Sequence, residues 1–154
     1  MTDLDPFEKK IIRELQRDAG LTTAELAERV GLSPSPCWRR VDRLERDGYI
    51  RGRVALVDRR KVGLHAHIFA QVKLNAHGRA NLDEFSTAIA AFPEVLGAYV
   101  LMGNMDFMLR IVAKDIDAYE AFFFDKLSKL PGVQEINSTV ALSEIKSTNE
   151  LPIL

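Results

Sequence analysis

Apolar residues recur at helical spacing through the first third of the chain and then change to strand-like alternation. Phe7, Ile11, Ile12 and Leu15 form one stripe. Asp5-Pro6-Phe7-Glu8 precedes it with an N-cap, a proline at the first helical position and the acid of a capping box. Gly20 ends this segment, and a second helix starts at once: Thr22 caps it, Glu25 reaches back, and Leu21 with Leu26 forms a hydrophobic staple. Leu26, Ala27 and Val30 are its inward residues. Gly31 closes it in the left-handed conformation, and Ser33 caps a third helix whose first turn holds Pro34 and Pro36. Along that helix Cys37, Val41 and Leu44 share one face, while Ser35, Arg39, Asp42, Arg43 and Arg46 share the other. Gly48 ends it, and the run 51–57 reads as a strand. Three capped helices and a strand predict a winged helix-turn-helix.

After the polar connector 58–64 the period becomes two. In 67–74, Ile68, Ala70, Val72 and Leu74 alternate with polar residues, as in a half-buried strand. Leu82, Phe85, Ile89 and Phe92 give a helical stripe stopped by Pro93. Strands follow over 95–102 and 107–113, joined by the turn Gly103-Asn104-Met105-Asp106. Asp115 caps a helix whose buried side is marked by Ile116, Tyr119, Phe123, Leu127 and Leu130, and 133–145 is a last strand. The order β-α-β-β-α-β is that of the ferredoxin-like split unit. The class is therefore α+β, with a winged helix-turn-helix over 1–62 and a ferredoxin-like βαββαβ domain over 63–154. Both helices cover one sheet face, and the open face is a natural surface for a second subunit. The apolar tail Leu151-Pro152-Ile153-Leu154 is expected to pack.

Composition narrows the class. A hydrophobic fraction of 47% supports a packed core. No apolar run reaches bilayer length and the first residues begin no signal peptide, so a cytoplasmic protein with no membrane partner is expected. One cysteine excludes an internal disulfide. The net charge of −1 conceals an asymmetry: residues 38–60 hold eight basic against four acidic groups. Positive charge thus gathers where a nucleic-acid surface needs it.

The arginine-bearing face of the third helix suits a DNA groove, because guanidinium forks match guanine edges and phosphates. Ser33 stands at its start, and Ser35, Pro36, Trp38, Arg39 and Arg43 are placed for base edges or nearby backbone. Arg40 and Arg46 flank them for phosphates, and Arg51 and Arg53 extend the surface along the wing. For Trp38, packing against the first helix competes with DNA contact. Cys37 reads as a small core residue. The turn 103–106 suits an amino acid: its backbone N–H groups bind a carboxylate, and Asp106 pairs with an ammonium group. A plain hairpin turn, with Asp106 bonded to backbone, is the competing reading.

These residues resemble the leucine-responsive/asparagine-responsive (Lrp/AsnC, feast/famine) family of prokaryotic transcription regulators. The resemblance runs nearly end to end. It is carried by Gly31-Leu32-Ser33-Pro34-Ser35-Pro36-Cys37, by 40–50, by Gly103-Asn104-Met105-Asp106-Phe107, by Leu130-Pro131-Gly132-Val133 and by Ile145-Lys146-Ser147-Thr148. It implies promoter-DNA binding by the first domain, and a second (RAM, ACT-like) domain that dimerises and senses amino acids. Homodimers assembling to tetramers or octamers and a nucleoid-associated place in the cytoplasm go with it. It further implies an effector site at a dimer–dimer contact, formed by Leu101, Met102, Gly103, Asn104 and Asp106 opposite Thr139 and Ala141. Asn104 stands where an acidic residue is more usual. Trp38 and 92–97 look most like a branch that includes regulators of sulfur amino-acid handling.

Two other classes compete. Some relatives of this fold are sirohaem (tetrapyrrole) decarboxylases, and His65 with His67 invites that assignment. No phosphate loop, zinc spacing or nucleophile triad accompanies them, so no catalytic residue, metal or cofactor is expected. His65, His67 and His77 read as ordinary histidines. The third reading is a stand-alone amino-acid-binding module whose first domain contacts protein.

Overall fold

The computed structural model describes residues 4–76 and 82–154; His77 lies outside them. The chain forms two compact units, Met1–Leu56 with Lys146–Leu154, and Val57–Ile145. The expected 62/63 division therefore falls inside the second unit, and the tail joins the first. Thirteen residues after Gly132 are too many for the last strand, which ends at Val140 rather than residue 145.

In the first unit α1 (Pro6–Arg17), α2 (Thr23–Val30) and α3 (Pro34–Arg46) pack around Ile11, Leu15, Leu26, Val30, Cys37 and Leu44. Both predicted capping boxes are present. Glu8 N donates to Asp5 Oδ1 at 2.8 Å and Asp5 N to Glu8 Oε2 at 2.9 Å, and Thr22 and Glu25 exchange the same bonds. Gly31 ends α2 with φ 77°, a left-handed conformation that turns the chain into α3. Ser33 departs from expectation: it is extended at the N-cap but its side chain accepts no capping bond. Pro36 at the third helical position has no N–H, so one of the two amides the cap would serve is missing.

The expected wing strand over 51–57 is not formed. Residues 51–58 have no ladder partner among the described residues, and Val54 and Leu56 are each 79% exposed. An apolar run with strand propensity becomes a strand only when another edge satisfies its N–H and C=O groups.

The second unit is a four-stranded antiparallel sheet in the order β2-β3-β1-β4, formed by β1 (Ala66–Leu74), β2 (Val95–Val100), β3 (Phe107–Ala113) and β4 (Val133–Val140). Helices α4 (Leu82–Ala90) and α5 (Ile116–Asp125) cover one face. Central β1 pairs Ile68 with Ile111 and Val140, and Ala70 with Leu109 and Ser138, which puts its even residues in the core with Phe85 and Phe122. Asp115 caps α5 as predicted, accepting the Ala118 N–H at 2.8 Å. Ile116 is 49% exposed and does not mark the buried side, because the stripe runs through Tyr119 and Phe122 instead. Leu127 sits in a separate 3₁₀ turn, Leu127–Lys129, fully buried.

His67 lies on the other sheet face, yet it is buried, and its Nδ1 has no hydrogen-bond partner among the described residues. Burial first, then the Arg59 and Arg110 guanidinium groups, lower its pKa against the opposing pull of Glu144. The folded chain thus resists a proton that the unfolded chain accepts below about pH 6.5. Stability is full above that pH and is lost as pH falls toward and through the lower folded value. Thermal melting between about pH 7 and pH 5 should show this loss, and His67→Gln should flatten that component.

Candidate nucleic-acid interface and effector turn

Helical geometry sorts the arginines of α3 into two sets. Pro36, Arg40 and Arg43 form a row beside the buried stripe Cys37–Val41–Leu44, and that row meets the start of α1. Arg43 Nη2 lies 2.5 Å from Glu8 Oε1, and Glu8 is only 4% exposed. Arg40 pairs with Asp5 at 3.3 Å and stacks over the Phe7 ring at 5.6 Å. Burial pushes the Asp5 carboxyl up, but the Glu8 and Phe7 N–H groups and Arg40 outweigh it and hold the pKa below its ordinary value.

Arg43, expected at base edges, is held in this structure at the start of α1. Its guanidinium is the counter-charge of a buried carboxylate, and withdrawing it toward DNA would leave that charge unpaired. Arg40, expected at phosphates, spends its charge in the same way on a half-exposed partner.

The outward set is Ser35, Trp38 and Arg39, with Ser33 just ahead of it. Trp38 is 57% exposed, which excludes the core-packing reading. Arg39 is exposed and has no ion-pair partner among the described residues. Arg46 bonds Asp42 at 3.2 Å one turn back, and Arg53 bonds Glu45 at 2.9 Å. Both are exposed pairs, which cost little to exchange for phosphate. Arg51 is exposed, and Pro36 is half-buried with its carbonyl accepting from Arg40.

Sequence reasoning missed Glu8 as a core residue. The signal was present: Glu8, Ile11, Ile12 and Leu15 are all buried, whereas Phe7 is 36% exposed, so the inward stripe runs through the acid.

The turn 103–106 is anchored at one end of the sheet. Leu101 N donates to Asp106 O at 2.8 Å and Asp106 N to Val72 O at 2.9 Å, closing the β2–β3 hairpin onto β1. Asp106 Oδ2 accepts the Leu74 N–H at 2.7 Å, where the β1–β4 register shifts. The carboxylate is thus bonded to the backbone of the neighbouring strand. Leu101 is half-buried, and Met102, Gly103 and Asn104 are exposed. Thr139 pairs with Phe69, and Ala141 N donates to His67 O at 2.8 Å. Between these positions and Val72–Leu74 lie three to seven residues of β1, about 10–23 Å at strand rise. One chain does not bring the two halves of the expected site together.

An apolar recess of about 330 Å³ between α4 and β2 was not foreseen; Phe85, Ile89, Ala98, Val100 and Phe107 line it, and none of the expected effector residues does. Among the described residues there is no cluster of side chains fit to hold a metal ion, and no helix long and apolar enough to cross a membrane.

A helix-turn-helix with an outward tryptophan and arginine, in one chain with a βαββαβ domain, defines a DNA-binding regulator of two units. Comparison with known proteins agrees. Residues 4–51 match the winged helix-turn-helix DNA-binding family, and residues 67–151 match the Lrp/AsnC ligand binding domain. The chain is 37% identical to the DNA-binding transcriptional activator DecR of Escherichia coli, over 97% of this chain and 99% of that one. It is 35% identical to the leucine-responsive regulatory protein of the same organism, over 98% and 92%. Among solved structures, a transcriptional regulator of Neisseria meningitidis in complex with L-Met superposes with a TM-score of 0.93 at 38% identity, covering 97% of each chain. An AsnC family regulator from Agrobacterium tumefaciens gives 0.92 at 42% identity, again over 97% of each. The chain belongs to the Lrp/AsnC family of transcriptional regulators.

The two arginine sets separate experimentally. Arg39→Ala should weaken binding to a promoter fragment by about 1–3 kcal/mol with unchanged melting. Arg43→Ala should lower the stability of the N-terminal unit by about 3 kcal/mol, since it strands the Glu8 carboxylate. Fluorescence titration and denaturant unfolding of both variants check the division.

Proposed function

We propose that this chain is an amino-acid-responsive regulator that reads promoter DNA through Ser35, Trp38 and Arg39. Ser33, Arg46, Arg51 and Arg53 lie at the backbone of the duplex. The observation that carries this reading is the outward face of α3, whose Trp38 and Arg39 have no internal task, in a chain that matches a ligand-binding family. DNA reading is assigned to residues up to 62, and sensing and assembly to the sheet from residue 63 through β4. The protein acts in the cytoplasm, at the nucleoid.

The effector reading rests on the turn 103–106. Gly103 has neither positive φ nor any neighbour within 4 Å of an added Cβ, so its own chain does not require glycine there. The open glycine turn leaves room for a molecule from outside to approach the backbone closely. Because Thr139 and Ala141 lie far along β1, a site holding all of these residues is shared between copies of the chain. Exposed Phe69 and Tyr99 on the open sheet face support a dimer there, assembling further to a tetramer or octamer. A ligand held between copies acts by favouring one assembly over another, as it binds the two unequally. The Neisseria relative is described with L-Met, which makes that amino acid the first to test. The tetrapyrrole-decarboxylase alternative is set aside because the similar proteins named above are regulators.

Titration of promoter DNA with each of the twenty amino acids present, alongside native mass measurement, tests this reading. One apolar amino acid should shift both affinity and assembly, and Gly103→Val should abolish the shift while DNA binding persists. Binding to random duplex should weaken steeply with salt. A chain that ignores DNA at low salt, or turns over a tetrapyrrole, would overturn the reading.

A further inference from the structure

The carboxy-terminal residues do not stay with the sheet that precedes them: Lys146–Leu154 belongs to the N-terminal unit. Their contacts fall on one face of α1. Gln16 holds both main-chain polar groups of Leu151, with Nε2 donating to the Leu151 carbonyl at 3.1 Å and Oε1 accepting the Leu151 N–H at 2.6 Å. Arg13 Nη2 donates to the Ile153 carbonyl at 2.7 Å, and Arg17 Nε to the Glu150 carboxylate at 3.1 Å. Positions 13, 16 and 17 share one helix turn, so a single face presents all three side chains. Ile153 then packs against the core of the unit.

This is a two-part recognition surface. The bonds from Arg13 and Gln16 go to main-chain atoms, which any extended segment offers. Ile153 and Glu150 make the choice of segment. A side-chain amide that takes both the N–H and the C=O of one residue also favours an extended segment, in which the two point the same way. The dock need not be strong. The tail is tethered by the exposed residues 142–149, so its effective concentration beside α1 is on the order of millimolar.

The tether begins where β4 ends. Ala141 makes the last bond to β1, and Thr139 and Ala141 belong to the expected effector surface. At its other end stands α1, whose Asp5 and Glu8 hold Arg40 and Arg43 of the reading helix. We propose that the outer face of α1 is a dock for an extended peptide, occupied by the chain's own residues Glu150–Leu154. This latch forms a second route, besides the covalent connection near residue 57, by which the state of β4 reaches α3. The coupling half of the proposal rests on the amino-acid response proposed above; the docking half does not.

The test uses the full chain, a chain ending at Asn149, and Gln16→Leu, which keeps helix propensity and both arginines. Hydrogen exchange over residues 6–17 reads the dock directly. Exchange should rise about tenfold in the shortened chain and by a smaller factor in Gln16→Leu, as local opening of α1 becomes easier. Promoter affinity without amino acid should change by less than about threefold, and the change in affinity caused by L-Met or another active amino acid should shrink toward none. Unchanged exchange in both variants overturns the dock. Raised exchange with an undiminished amino-acid response overturns the coupling. A full chain that answers to no amino acid overturns the sensing reading, and the coupling with it, while exchange still decides the dock.

Discussion

Glu8 places a carboxylate inside the N-terminal unit, and two groups meet it there. One oxygen accepts the Asp5 N–H of the capping box, and the other faces the Arg43 guanidinium. A buried carboxylate without a partner is costly, so the pair makes one docking of α3 on α1 far better than its neighbours. Arg40 on Asp5 and over Phe7 repeats the contact one turn back. What α3 shows to the outside follows from this. With two arginines held inward, Ser35, Trp38 and Arg39 stand outward on a helix whose rotation is already set. Preorganisation of that kind favours the proposed DNA reading, because the outward face needs no ordering on binding.

The sheet unit uses the same device with fewer charges. Central β1 carries a ladder on each side, and the Asp106 carboxylate accepts the Leu74 N–H beside the irregularity between β1 and β4. The turn after β2 is held by its own acid, which leaves Met102, Gly103 and Asn104 exposed on a fixed support. Under the proposed function this turn is one half of the effector site and the surface around Thr139 and Ala141 the other.

Where local rules suffice, the sequence was readable. The two capping boxes, the left-handed Gly31, the Asp115 cap and the alternation of β1 each depend on residues within a few positions of one another. All appear as expected. The Arg43–Glu8 pair was not legible because a charged residue on a helix flank looks alike whether it meets solvent, DNA or a buried acid 35 residues away. Glu8 was read only as a capping acid because its inward phase competes with that of Phe7. The wing was misjudged because strand propensity in 54–57 says nothing about whether an edge is available to pair with.

By itself the sequence determined the elements, their order and the family, since periodicity, caps and turn residues are local and the quoted motifs are contiguous. Tertiary structure alone decided which arginines are free, that Asp106 serves the neighbouring strand, and that the tail returns to α1. Each of those outcomes turns on a partner distant along the chain, and the desolvation of a charge or the pairing of a peptide group is settled only when that partner arrives.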